Sequence, residues 1–301
     1  MLKYQKWLIN NSKTLKGKWI LIVGGTGEIG RSLIEHLLFL NAKIIVGARN
    51  LEKAQLMKEN LLNDYPQAEI YLEQVDVSLL SSIDDFQLRI DQNYPKIDYF
   101  INNAGIYSLP KTFTKEGYEI HFATNALGNY YLAKKIIYNL NSNAKIIFTS
   151  SISYKFYEIN FKDFEGRKYR SGLKRYAVTK RIMTYNAQAI KNQLKDSNMT
   201  VSLVHPGICA TELFTKNDKK IYRFLYPIMR LIFHKADKAS LAIVKGLFDE
   251  TNFNEWIGPG ILNVWGYPKI RKLNRKLCDY RKIRWVNDLT NDIIKNRTDK
   301  E

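Results

Sequence analysis

A chain of 301 residues, 45% of them hydrophobic, can bury a large core and has the length of one α/β domain or two smaller ones. No run of about 18 apolar residues occurs, which excludes a spanning helix, and Met1 to Lys18 lacks the apolar stretch and cleavage site of a signal peptide. The net charge of +18 is spread along the chain as lysines without a nucleic-acid-binding module, so a solvated surface is the first reading, an anionic membrane surface the second and nucleic acid the last.

Cys209 and Cys278 form no paired motif, which suits a reducing cytoplasm and gives neither a disulfide framework nor a metal site. His36, His121, His205 and His234 lack metal-ligand spacing and read as structural.

In chain order, residues 1–17 are a basic extension carrying Trp7, Leu8 and Ile9. The run from Lys18 to Val23 predicts a strand that ends in Gly24-Gly25-Thr26-Gly27-Glu28-Ile29-Gly30, and a helical pattern of Ile29, Leu33, Ile34, Leu37 and Leu38 follows. Strand, glycine turn and helix start are the context in which free N–H groups and a positive dipole end receive a diphosphate. Lys43 to Ala48 predicts the second strand. It ends in Arg49 where many NAD-binding folds carry an acid for the ribose hydroxyls. Arg49, with Lys53 nearby, could pair with a 2′-phosphate, which favours NADP(H) over NAD(H). The alternative is an exposed loop arginine.

A helix is expected over about Leu51 to Asn63, a strand over Ala68 to Val75 with Asp76 at its end, and a helix from Ser78 to about Gln92. Ile97 to Ile101 is the fourth strand, followed by Asn102-Asn103-Ala104-Gly105, small residues that suit a cofactor passing close to the backbone. A long helix around Glu116 to Leu140 contains Asn125. Ala144 to Thr149 is the fifth strand and ends in Ser150-Ser151. Ile152 to Gly172 has no clear periodicity and reads as an excursion near the site.

Helix-forming residues from Leu173 to Leu194 then place Tyr176 and Lys180 one turn apart on one face. A nearby ammonium favours an ionised phenol, so the pair is a candidate proton-transfer device, although alone it would read as a solvated pair on a surface helix. Thr200 to Val204 is the sixth strand, and His205-Pro206-Gly207 opens the turn that leads to Thr211. Lys219 to Lys235 is apolar and partly amphipathic: a substrate lid or interfacial helix on one reading, a core or subunit-contact helix on the other. A helix over Ala236 to Phe248, a glycine-bearing strand region over Trp256 to Trp265, and a basic helical tail from Lys269 with Trp285 and Leu289 as docking residues complete the chain. Strands and helices alternate without a composition break. The expected fold is therefore a single-domain α/β doubly wound parallel sheet of the Rossmann type over residues 18–268, with a substrate-loop segment at 206–235 and a tail at 269–301.

Together these pieces resemble the short-chain dehydrogenase/reductase family, single-domain type, over nearly the whole length and in the family's order. The resemblance implies that Tyr176 is the general acid/base, that Lys180 lowers the tyrosine pKa and binds the nicotinamide ribose, that Ser151 bonds the reacting oxygen, and that Asn125 holds a relay water. It also implies cofactor contacts from Gly24, Thr26, Gly27, Ile29, Gly30, Arg49, Asp76, Asn103, Ala104, Gly105, Pro206, Gly207 and Thr211, besides Tyr176 and Lys180. Glu28 departs from the single-domain pattern, which has glycine there, and would repel a diphosphate unless it points away. The 25-residue gap between Ser151 and Tyr176 is similar to the retinol-dehydrogenase-like and light-independent pigment-reductase-like branches, whose lipophilic substrates fit the apolar 219–235 segment. The expectation is a cytoplasmic oxidoreductase, at most peripheral to a membrane, acting on an apolar small molecule as monomer or homo-oligomer. The alternative is a dinucleotide-binding regulatory or scaffold protein without turnover.

Overall fold

Eight strands form one sheet in the order β3-β2-β1-β4-β5-β6-β7-β8, parallel from β3 through β7 and antiparallel between β7 and β8. The computed structural model describes residues 3–209 and 235–298. The strands are β1 (Trp19–Val23), β2 (Lys43–Ala48), β3 (Ile70–Gln74), β4 (Ile97–Asn102), β5 (Leu140–Thr149), β6 (Thr200–Val204), β7 (Glu255–Ile261) and β8 (Trp265–Lys272). The central strands are nearly continuous apolar runs because both faces are covered, and four of the five residues of β1 are buried.

Helices α2 (Glu28–Phe39), α3 (Leu51–Asp64) and α7 (Ala236–Phe248) cover one face, closing a core that includes Ile22, Leu37, Val46 and Ile243. Helices α4 (Leu80–Asn93), α5 (Asn129–Ile136), α6 (Gly172–Gln193) and α8 (Tyr280–Thr298) cover the other, around Phe86, Phe100, Phe148 and Ile182. The strand order reverses between β1 and β4, so the loops after these two strands meet at the sheet's carboxyl edge. That crevice is where doubly wound sheets bind ligands.

Three expectations change. The long helix around Asn125 is interrupted: a π-helical segment, Phe122–Gly128, precedes α5, and the chain enters β5 already at Leu140. The boundary expected at residue 268 falls inside β8, which pairs with β7 from Glu255↔Lys272 to Ile261↔Trp265, and the helical tail begins only at Tyr280. That tail is a wall of the core, with Ile283 and Val286 buried. Trp285 is half exposed but stacks on Phe161 at 3.6 Å.

The basic N-terminal segment is also seated. Helix α1 (Gln5–Asn11) buries Leu8, and Trp7 stacks on Tyr267 of β8 at 6.2 Å and 4°. Among the described residues no helix is long and apolar enough to cross a membrane.

Candidate active site

The dinucleotide turn is built from steric necessity. Gly24 has φ +88°, and a Cβ there would meet the Ala104 backbone nitrogen at 2.6 Å, so only glycine lets the loops after β1 and β4 close together. Asn103 fastens the contact: its backbone N–H donates to the Val23 carbonyl at 3.0 Å, and its side-chain amide donates to the Gly24 carbonyl at 3.0 Å. A Cβ on Gly30 would strike the Gly24 carbonyl oxygen and the Gly25 backbone. Gly27 differs, since a Cβ there meets nothing within 4 Å. It stands at the N-cap of α2 without a side-chain cap, beside the helix's free N–H groups. Open space, free donors and a helix dipole fit a diphosphate.

Thr26 and Ile29 flank this space, and Glu28 is the first residue of α2. The Glu28 carboxylate acts on the Cys209 thiol, which burial, Glu28 and Asp237 together push up to about 12. Glu28 therefore sits towards the loop after β6. Arg49 is exposed directly beyond β2. Asp76 follows β3 with its carboxylate held by the Ser78 hydroxyl at 2.6 Å and the Ser78 N–H at 2.9 Å. Pro206 and Gly207 follow β6, with Gly207 at φ +91°. Thr211 and nearly all of the 219–235 segment lie outside the described residues.

The expected proton-transfer residues come together from three elements. Asn125, in the π-helical segment, is fully buried. Its Oδ1 accepts from the Ile106 N–H at 2.8 Å, and its Nδ2 donates to the Ile106 carbonyl at 2.9 Å and the Thr179 hydroxyl at 3.3 Å. Thr179 in turn donates to the Tyr176 carbonyl. Gly105 lies against both Asn125 and Lys180: its added Cβ would stand 3.2 Å from Asn125 Oδ1 and 3.3 Å from Lys180 Nζ. Lys180 Nζ donates to the Thr149 carbonyl at 2.9 Å, at the end of β5. Ser151 caps the short 3₁₀ turn Ile152–Lys155, accepting from the Ser153 N–H.

Tyr176 is partly exposed as a residue, but its hydroxyl end lies among Ser151, Ser153 and Cys209. Burial raises its pKa, and the Ser151 and Ser153 hydroxyls beside it pull the other way. The expectation that Lys180 depresses this pKa is therefore corrected. Lys180 is itself buried, which lowers its own pKa to about 8, and its ammonium is directed to the Thr149 carbonyl. The phenol is protonated at neutral pH, the state of a proton donor. The ring of Tyr107 stands edge-on to Tyr176 at 4.8 Å.

A surface helix is not what carries Tyr176 and Lys180. Helix α6 is buried from Ala177 through Ile190 and packs between the sheet and α8. Its polar residues are tied inward: Thr184 to Ser150 at 2.8 Å, Gln188 to the Phe253 carbonyl at 2.7 Å, and Asn186 to Thr290 at 3.1 Å. A buried Glu119–His121–Arg175 cluster beside the site escaped the sequence reading. The available signal was an arginine immediately before Tyr176.

This fold and its glycine turn define a doubly wound α/β architecture of the Rossmann type. The pattern of the family described as "short chain dehydrogenase" matches residues 18–221, and the chain belongs to that family. It is 31% identical over 211 residues to retinol dehydrogenase 14 of Mus musculus, in one of the two branches the Ser151–Tyr176 gap suggested. The match covers 66% of this chain and 63% of that relative, so the chain spans less than two thirds of the relative's length. Among solved structures, an uncharacterized protein from Mycobacterium paratuberculosis superposes with a TM-score of 0.77 at 19% identity, covering 94% of this chain and 95% of that one. A short-chain dehydrogenase/reductase from Burkholderia phymatum, solved in complex with NAD, superposes with a TM-score of 0.61 at 16% identity over 76% of this chain and 85% of that one. At these identities the structures show a shared fold.

Proposed function

We propose that the chain interconverts an alcohol and a carbonyl on an apolar substrate, with NADP(H) as the preferred dinucleotide. The observation that carries this is the convergence of Asn125, Ser151, Tyr176 and Lys180 beside the loop after β4, which packs against the glycine turn. When bound, the nicotinamide supplies or accepts the hydride. The chain's own residues do the rest. The Tyr176 hydroxyl gives its proton to the oxygen that gains charge, and Ser151 donates a hydrogen bond to the same oxygen. Lys180 places a positive charge and hydrogen-bond donors beside the ribose. Asn125 fixes the Ile106 backbone and the Thr179 hydroxyl, and so orients the relay. The space above Gly27 and the α2 N-terminus would receive the diphosphate, and Asp76 would contact the adenine.

Arg49 beyond β2 supports the preference for a 2′-phosphate. Retinol, the alcohol in the name of the mouse relative, is the first substrate to test, with its aldehyde and straight-chain aldehydes. NADPH consumption with at least one of these carbonyls is expected from wild type and not from Tyr176→Phe. Failure of every carbonyl and alcohol tried, despite tight NADPH binding, would transfer the reading to a dinucleotide-binding regulator. Contact with an anionic membrane surface belongs to the same proposal, supported by the +18 charge and by the exposed Ile261 and Leu262 at the β7–β8 tip. Sedimentation with anionic vesicles at low salt is expected; a protein that stays in the supernatant removes it.

A further inference from the structure

Glu119, His121 and Arg175 are 0%, 0% and 2% exposed, and together they place a carboxylate and a guanidinium inside the protein. A buried pair of this kind must have its remaining donors and acceptors satisfied, because an uncompensated charge there is strongly destabilising. Here every side-chain nitrogen and oxygen of the three residues has a partner. Glu119 Oε2 accepts the backbone N–H groups of His121 and Phe122 at 2.8 and 3.0 Å, capping the helix that carries Asn125. Glu119 Oε1 meets His121 Nδ1 at 3.0 Å and Arg175 Nε at 3.0 Å. His121 Nε2 accepts from the Leu109 N–H at 3.1 Å, so Nδ1 carries the proton that faces Glu119.

The guanidinium then reaches three carbonyls. Nη2 donates to Leu109 at 2.7 Å, and Nη1 donates to Tyr169 at 2.8 Å and Arg170 at 2.9 Å. Leu109 ends the loop whose Tyr107 stands against Tyr176, while Tyr169 and Arg170 end the excursion that leads into α6. Gly172 seals the junction, since a Cβ there would come within 2.9 Å of the Ser108 hydroxyl. One side chain, adjacent in sequence to Tyr176, thus ties the 106–109 loop and the 169–170 turn to the first turn of the tyrosine helix.

We propose that Arg175, supported by Glu119 and His121, is a positioning residue that holds the 106–109 loop and the 169–170 turn in register with the Tyr176 hydroxyl. This rests on the reading of Tyr176 as the proton donor. The fork of an arginine is what the geometry uses: a lysine would keep the charge beside Glu119 but could not reach three carbonyls from two nitrogens. Misplacing a wall of the site by about an ångström can lower turnover on the order of a hundredfold without a change in the reacting groups.

The test compares wild type, Arg175→Lys, Tyr176→Phe and the double variant Glu119→Gln/Arg175→Met, which removes the buried pair together and is the safer fold. Three quantities are read: hydrogen exchange of the peptides covering 104–110 and 166–171, the NADPH dissociation constant, and kcat and KM for the carbonyl turned over best. Arg175→Lys is expected to exchange at least about tenfold faster in both peptides, to bind NADPH within about twofold of wild type, and to lose at least about tenfold in kcat. If Arg175→Lys does not fold, the double variant is read with the same expectations. Wild-type exchange and kcat in a folded variant overturn the proposal, and so does a loss that lies only in NADPH affinity. Faster exchange in Arg175→Lys together with full activity of Tyr176→Phe would sink the proton-donor reading while leaving the clamp in place.

Discussion

At the scale of single residues, two glycines three apart do opposite things. A methyl on Gly30 would overlap the Gly24 carbonyl oxygen, so Gly30→Ala should lower stability by about 1–3 kcal/mol and spoil the turn. A methyl on Gly27 meets only open space, so Gly27→Ala should keep its stability within about 0.5 kcal/mol and lose NADPH affinity. Thermal unfolding and NADPH titration separate the two, and unchanged affinity in Gly27→Ala would show that the space is not the cofactor's. Arg49→Asp should erase the discrimination between NADPH and NADH; an unchanged preference would show that another residue selects. The pH dependence follows from burial. Lys180, lowered to about 8, is charged below that value and loses its charge above it, while Tyr176, raised by burial, keeps its proton across the same range. Carbonyl reduction should therefore hold through neutral pH and fall as pH rises past about 8. A flat profile well into the alkaline range would mean that the lysine's charge is not used. That Tyr176 and Lys180 share one helix a turn apart was legible from spacing alone. The direction of the tyrosine's shift was not, because desolvation depends on α6 being inside the molecule.

The elements were legible where pattern and environment agree. β2 and β6 and helix α7 match their sequence-based bounds, since strands covered on both faces and a short apolar helix carry an unambiguous signal. The segment around Asn125 carried no signal for its π-helical turn, and the β7–β8 hairpin was hidden because its turn uses Leu262 and Asn263 at positive φ rather than glycine. One link between elements yields a prediction. His36 of α2 is buried against the Ser240 hydroxyl of α7 at 3.1 Å, and burial lowers its pKa to about 4. Between the ordinary value of 6.5 and about 4 the unfolded chain binds the extra proton, so folding stability should fall as pH drops through that window. The loss is at most ~3 kcal/mol. His36→Gln should flatten that acid limb in denaturant titrations at a series of pH values. An identical limb in the variant would place the acid sensitivity elsewhere.

For the molecule as a whole, the C-terminal tail is structural, as its docking residues suggested. Helix α8 contributes buried Ile283 and Val286, and its Thr290 and Asn291 satisfy Asn186 and Tyr130, the latter through a 2.9 Å hydrogen bond. Truncation before Tyr280 should therefore leave apolar surface and orphaned polar groups at about 1–3 kcal/mol each, and the shortened chain should be insoluble or melt well below the full one. A truncated chain with an unchanged melting temperature would refute this. At the other end, α1 has its own dependence. Trp7 lies flat on Tyr267, a residue near the far end of the chain. During synthesis α1 leaves the ribosome long before the strand that seats it, and pairing over such a sequence separation forms slowly. A segment made well before its partner strand is thus among the last to find its place, and the emission of Trp7 would serve as a clock for completion of the fold.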